Sequence, residues 1–183
     1  MAGSLALALG AIAMLETSQT LDRCLPLVPA ALGAQVTAAF PGYRLARGSD
    51  QDEFNVRYNL EHGGSGCLGI AEGDFDGDKR GDIAFLLSAT QGPETLIVVA
   101  LRRAGPWVLE RVDTWEGPSS LYYLDTASAG AYESPFYGES SPRPNELRSI
   151  KSTTEGVVAG QLESTALYYF RVDGHWRFVW MSD

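Results

Sequence analysis

Apolar and polar positions follow two different periods along this chain. From Pro29 to Ala39 the apolar positions are spaced helically; Pro29 suits a first helical turn, and Pro41-Gly42 stops it. Beyond that helix the chain reads mostly as strands. Phe54–Leu60 alternates, with Phe54, Val56 and Tyr58 on one side and Asn55, Arg57 and Asn59 on the other. Ile83–Leu87 and Leu96–Leu101 are continuous apolar runs, the pattern of strands buried on both faces. Gly105-Pro106 turns the chain into Trp107–Val112, which alternates less strictly, and Leu121–Leu124, Gly156–Leu162, Leu167–Val172 and Trp176–Trp180 complete the strand set. The last two meet across Asp173-Gly174, a pair that supplies the positive φ angles of a type I′ hairpin turn. Trp176, Phe178 and Trp180, at period two, form one core-facing row, with a ligand-stacking strip as the alternative. Between strands, Ala131–Asn145 carries Pro135, Pro142 and Pro144 and reads as a long irregular loop, a type that often carries function. These elements predict an α+β domain, an N-terminal helix packed on a mainly antiparallel, meandering β-sheet.

A chain of 183 residues, 45% hydrophobic and 20% charged, suits one soluble domain with a real core. The net charge of −9 leaves no basic stripe for a phosphate backbone, so nucleic acid is excluded as a partner, while bound cations or a basic partner fit. Residues 1–20 form a signal-like or N-terminal apolar segment. Its run from Leu5 to Leu15 has the length of a secretion-signal core and falls short of the ~20 apolar residues of a membrane-spanning helix. No Lys or Arg precedes that run and no small-x-small cleavage site follows it, so a helix packed on the domain is the alternative. The expectation is an exported protein, periplasmic or secreted, with residues 21–183 as its single β-rich domain and no integral membrane span. Cys24 and Cys67 pair in an oxidising compartment, or act as two small buried hydrophobes in a reducing one.

Chemistry concentrates in Gly73-Asp74-Phe75-Asp76-Gly77-Asp78-Lys79-Arg80-Gly81-Asp82-Ile83-Ala84. Aspartates stand at positions 1, 3, 5 and 9 of a loop that starts at Asp74. On an extended strand Asp74, Asp76 and Asp78 would repel one another on one face; in a tight loop their carboxylates converge on a point. Calcium takes ~6–8 oxygens at ~2.3–2.6 Å in irregular geometry and suits such a cage, whereas magnesium demands an octahedron and keeps its waters. Arg80, at position 7, contributes its backbone carbonyl. No Cys or His cluster has zinc spacing.

The segment resembles the calcium loop of FG-GAP and VCBS repeats. What the resemblance implies is one EF-hand-like Ca²⁺ site with Asp74, Asp76, Asp78 and Asp82 as side-chain ligands and Arg80 as a carbonyl ligand. Lys79 stands where the repeats commonly carry Gly; a non-Gly residue at positive φ costs ~1–2 kcal/mol unless the turn relocates, for which Gly81 is available. The loop occurs once, and a propeller needs ~4–8 four-stranded blades, so the chain is too short for one built of such repeats. The layout is also similar, more loosely, to small bacterial periplasmic proteins that keep a single such loop. Some of those are immunity proteins, and the similarity implies a protein that binds and blocks a basic, cell-wall-degrading toxin.

Catalytic signatures are weaker. His62-Gly63-Gly64-Ser65-Gly66 resembles oxyanion-hole glycines, but no Gly-x-Ser-x-Gly elbow accompanies it, and a Gly-rich turn is the simpler reading. His175 sits beside the hairpin turn, and nothing marks a pair of catalytic carboxylates. Binding rather than catalysis is expected; the alternatives are a hydrolase of cell-envelope polymers and a purely structural calcium-stapled module. Candidate partner anchors are Tyr132, Phe136 and Tyr137, aromatics on a proline-stiffened loop, or else these rings fold back over a sheet edge.

Overall fold

The two continuous apolar runs pair with each other at the centre of the molecule. A computed structural model of the protein describes residues 22–138, 141–162, 164 and 166–181; the apolar segment at 1–20 lies outside them. In chain order the elements are α1 (Ala30–Ala39), β1 (Tyr43–Leu45), α2 (Glu53–Glu61), β2 (Ile70–Gly73), β3 (Asp82–Ala89), β4 (Glu94–Leu101) and β5 (Val108–Glu116). Then come β6 (Tyr122–Ala127), β7 (Gly130–Glu133), β8 (Ser149–Ser152), β9 (Gly156–Gln161), β10 (Ala166–Val172) and β11 (His175–Met181).

One antiparallel sheet has the order β1-β3-β4-β5, with β2 also paired to β3; a second has the order β11-β10-β9-β6; β7 and β8 form a separate ribbon. The layout is thus an α+β fold of mostly antiparallel strands, divided between two sheets rather than drawn out as one meander. Along β3 and β4 every second side chain faces the other sheet: Ala84, Leu86, Ile97, Val99 and Leu101 share a core with Leu124, Val157, Tyr169 and Phe178. The intervening residues Ile83, Phe85, Leu87, Leu96 and Val98 pack with Leu32 and Val36, the buried i, i+4 pair of α1. Two covered faces explain why these strands read as unbroken apolar runs.

A bulge in the β4–β5 ladder lies between Ile97 and Val98, where Val112 is left without a register partner. The extra residue flips the parity of β5, which explains its loose alternation. Glu110 and Asp113 therefore both reach the second sheet, although three residues apart. Arg171 grips Glu110 with two bonds of 3.0 Å, and Trp176 Nε1 donates to it at 2.9 Å. The Tyr169 hydroxyl donates to Asp113 at 2.6 Å; burial first, then the Asp113 charge, pushes that phenol well above its ordinary pKa.

Two sequence expectations are corrected. Phe54–Leu60 is not a strand but lies in α2. Its alternation is also compatible with Phe54 and Tyr58 at i, i+4, and Asp52 caps the helix by accepting the Asn55 N–H at 3.1 Å. Because α2 buries none of its side chains, no inside–outside pattern was there to be read. Ala131–Asn145 is not irregular throughout, since Gly130–Glu133 pairs with Ser149–Ser152 as a ribbon. The Asp173-Gly174 turn is as expected, with φ of 50° and 79° and Val172 opposite His175. Trp176 and Phe178 enter the core, with Trp180 packed against it. Cys24 and Cys67 are joined in a disulfide, Cα atoms 5.1 Å apart, which ties the segment before α1 to the segment after α2. Among the described residues no helix is long and apolar enough to cross a membrane.

Candidate metal centre

The loop from Asp74 to Asp82 links β2 to β3, and its shape is held from within. Phe75 is fully buried in the inter-sheet core, which pins the second residue of the loop. Asp74 accepts the N–H groups of Gly77 at 2.9 Å and Lys79 at 3.0 Å; Asp76 accepts that of Asp78 at 3.2 Å, and Asp78 that of Arg80 at 2.9 Å. Such carboxylate-to-backbone bonds coil the chain so that alternate side chains share one side. Gly77 turns with φ of 80°, and Lys79 itself adopts φ of 65°, so the turn is not relocated to Gly81. The bond from its own N–H to Asp74 helps hold Lys79 in that left-handed conformation. From outside the loop, Glu155 accepts the Asp74 N–H at 2.7 Å.

Asp74, Asp76 and Asp78 each present one carboxylate oxygen, and the three lie within 4.8 Å of one another. Oxygens on one cation at ~2.3–2.6 Å are separated by no more than about twice that distance, so this cluster can hold a metal ion. Asp82 is placed differently. It is fully buried at the start of β3, and its two oxygens accept the N–H groups of Phe75 at 3.0 Å and Arg102 at 2.7 Å, closing the loop at its base. Burial raises its pKa to about 6; the two N–H bonds oppose that rise, and the charges of Asp76 and Asp78 add to it. Arg80 is exposed, its guanidinium 3.9 Å from Asp78.

No spacing in the sequence announces Arg103. It reaches over from the turn after β4, and its guanidinium pairs with both Asp76 and Asp78, the latter at 3.1 Å. Asp76 has a side chain only 4% exposed, so this cation offsets a nearly buried charge. The cluster thus already gathers positive charge, supplied by the chain itself.

The anchor candidates part company. Tyr132, on β7, packs its ring 5.4 Å from Tyr168 and 5.1 Å from Phe170 and donates to the Ser128 carbonyl at 2.7 Å. That is the folded-back arrangement. Phe136 is half-buried, and Tyr137 is 41% exposed. His62 ends α2, and His175 is exposed beside the hairpin turn.

The chain matches no protein-family model, and no curated protein or solved structure is significantly similar to it.

Proposed function

We propose that this chain is an exported binding domain stabilised by one calcium ion in the Asp74–Asp82 loop, and that its partner is a protein. The observation that supports the metal most directly is the convergence of Asp74, Asp76 and Asp78 on one point. Their hard oxygen donors suit calcium, and no His or Cys joins them among the described residues. Asp82 and the Arg80 carbonyl complete the ligand set that the resemblance to FG-GAP and VCBS loops implies. The ion would neutralise the carboxylates at the head of β3 and tie the loop to the buried strand, which favours a stabilising role over a switching one.

Binding, with blocking of a basic cell-wall-active toxin as its use, is supported by the charge of −9 and by the want of any catalytic constellation in the sequence. Calorimetry on metal-stripped protein tests the calcium reading. One equivalent of calcium should give a heat and a rise in melting temperature, worth ~2.7 kcal/mol at a hundredfold excess over Kd. Asp76→Asn with Asp78→Asn should abolish both. Absence of heat and of thermal shift in the unmodified chain would sink the reading.

A further inference from the structure

α2 contributes no buried side chain to the fold, yet Phe54 and Tyr58, at i, i+4, are 61% and 55% exposed. Large rings left in water on a short, well-anchored helix call for a reason other than packing. The anchoring is explicit: Asp52 caps one end, and at the other Asn59 accepts the Gly66 N–H at 2.8 Å beside the Cys24–Cys67 bridge. The Tyr58 and His62 rings stack with centroids 4.0 Å apart, and His62 Nδ1 donates to the Tyr58 carbonyl at 2.8 Å. Stacked face on face at 28°, the two rings together form one aromatic wall.

That wall borders a groove of about 780 Å³ between α2 and the strands β2 and β6. Among the described residues, the charged side chains lining it are Glu72 and Asp125, both acidic. Neither has an ion-pair partner among the described residues. Asp125 accepts only the Thr126 N–H, at 2.7 Å, among the hydrogen bonds described for it. On α2 itself Arg57 already lies over the Phe54 ring, 5.8 Å from its centroid, so this helix accommodates a guanidinium on an aromatic face.

Building on the protein-binding reading above, we propose that this groove is the docking surface for the partner, which enters it as a basic segment. An arginine or lysine stem lies along the Tyr58–His62 wall, and its head group reaches Asp125 and Glu72. A purely apolar occupant would strip water from two carboxylates without replacing it, and an anionic one would be repelled. Charge complementarity thus selects the cation.

The test uses a fluorescently labelled peptide of alternating arginine and serine, titrated against the full chain by anisotropy. Binding is expected, with Tyr58→Ala and Asp125→Asn each weakening it about fivefold or more. Their melting temperatures should stay unchanged, because neither side chain is buried. A glutamate–serine peptide should not bind. Equal affinity for the unmodified chain and both variants would mean diffuse attraction to an acidic surface and would overturn the groove. No binding of the arginine peptide would overturn the basic occupant. The calcium titration is independent of the groove, so a failure here with a normal calcium heat leaves the metal reading standing.

Discussion

Replacing Arg103 with methionine should make the proposed calcium site tighter and the metal-free protein weaker. The Arg103 guanidinium pairs with Asp76 and Asp78, two of the three carboxylates that converge in the loop. The proposed calcium ion would draw on the same two carboxylates, so its binding has to displace this internal cation. A hydrogen bond to a charged group contributes ~1.5–3 kcal/mol. Arg103 is 35% exposed, and solvent screening favours the lower end of that range. About 1.5 kcal/mol corresponds to roughly tenfold in affinity. Arg103→Met should therefore bind calcium about tenfold more tightly by calorimetry. In chelator, denaturant unfolding should show a loss of about 1–2 kcal/mol, because the nearly buried Asp76 loses its counter-charge. In saturating calcium that loss should largely vanish. If Arg103→Met binds calcium no better than the unmodified chain, Arg103 is not competing for the site and the reasoning fails.

Four further outcomes follow from the geometry. Asp82 has a folded pKa near 6, above the ordinary value of 3.8. Calcium favours its ionised form, so affinity should fall as pH drops below about 6; a flat profile from pH 7 to 5 would refute this. In chelator the sign reverses: a raised carboxyl contributes stability below pH 3.8 that is lost as pH rises through 6, measurable as the difference between the unmodified chain and Asp82→Asn. Replacing Cys24 and Cys67 with serine opens a ring with a sequence separation of 43 residues and should cost about 4 kcal/mol in denaturant unfolding by loop-closure entropy. Tyr132→Ala should lower the melting temperature clearly, by about 2–3 kcal/mol of stability, whereas Tyr137→Ala should leave it unchanged; equal effects would contradict the difference in their packing.

The sequence made legible those elements whose burial is periodic or complete. β3 and β4 are covered on both faces and announce themselves, as do α1 through Leu32 and Val36 and the last hairpin through Asp173-Gly174. β1, β2 and β8, at three or four residues each, are too short to show a period. α2 misled for the opposite reason: with nothing buried, its alternation carries no information about a core. At the loop, spacing located Asp74, Asp76 and Asp78, because short-range backbone bonds shape that turn. Arg103 could not be found, since its place over the cluster is decided by the β3–β4 pairing and not by local sequence. Glu110 and Asp113 were hidden for a related reason, as only the bulge at Val112 turns both to the same side.

The Cys24–Cys67 bridge also changes what cutting the chain can do. α1, β1 and α2 all lie inside the ring that it closes. The longest run of exposed residues in that ring, from Leu60 to Ser65, is also where an attacking protease would find the best purchase. A single cut there separates no fragment: both halves stay tethered through sulfur, with α1 still packed on the central sheet and each half held at high effective concentration beside the other. A nicked molecule should migrate as one species until a reductant is added. The stretch with the least packing is thus also the stretch where breakage is most readily survived.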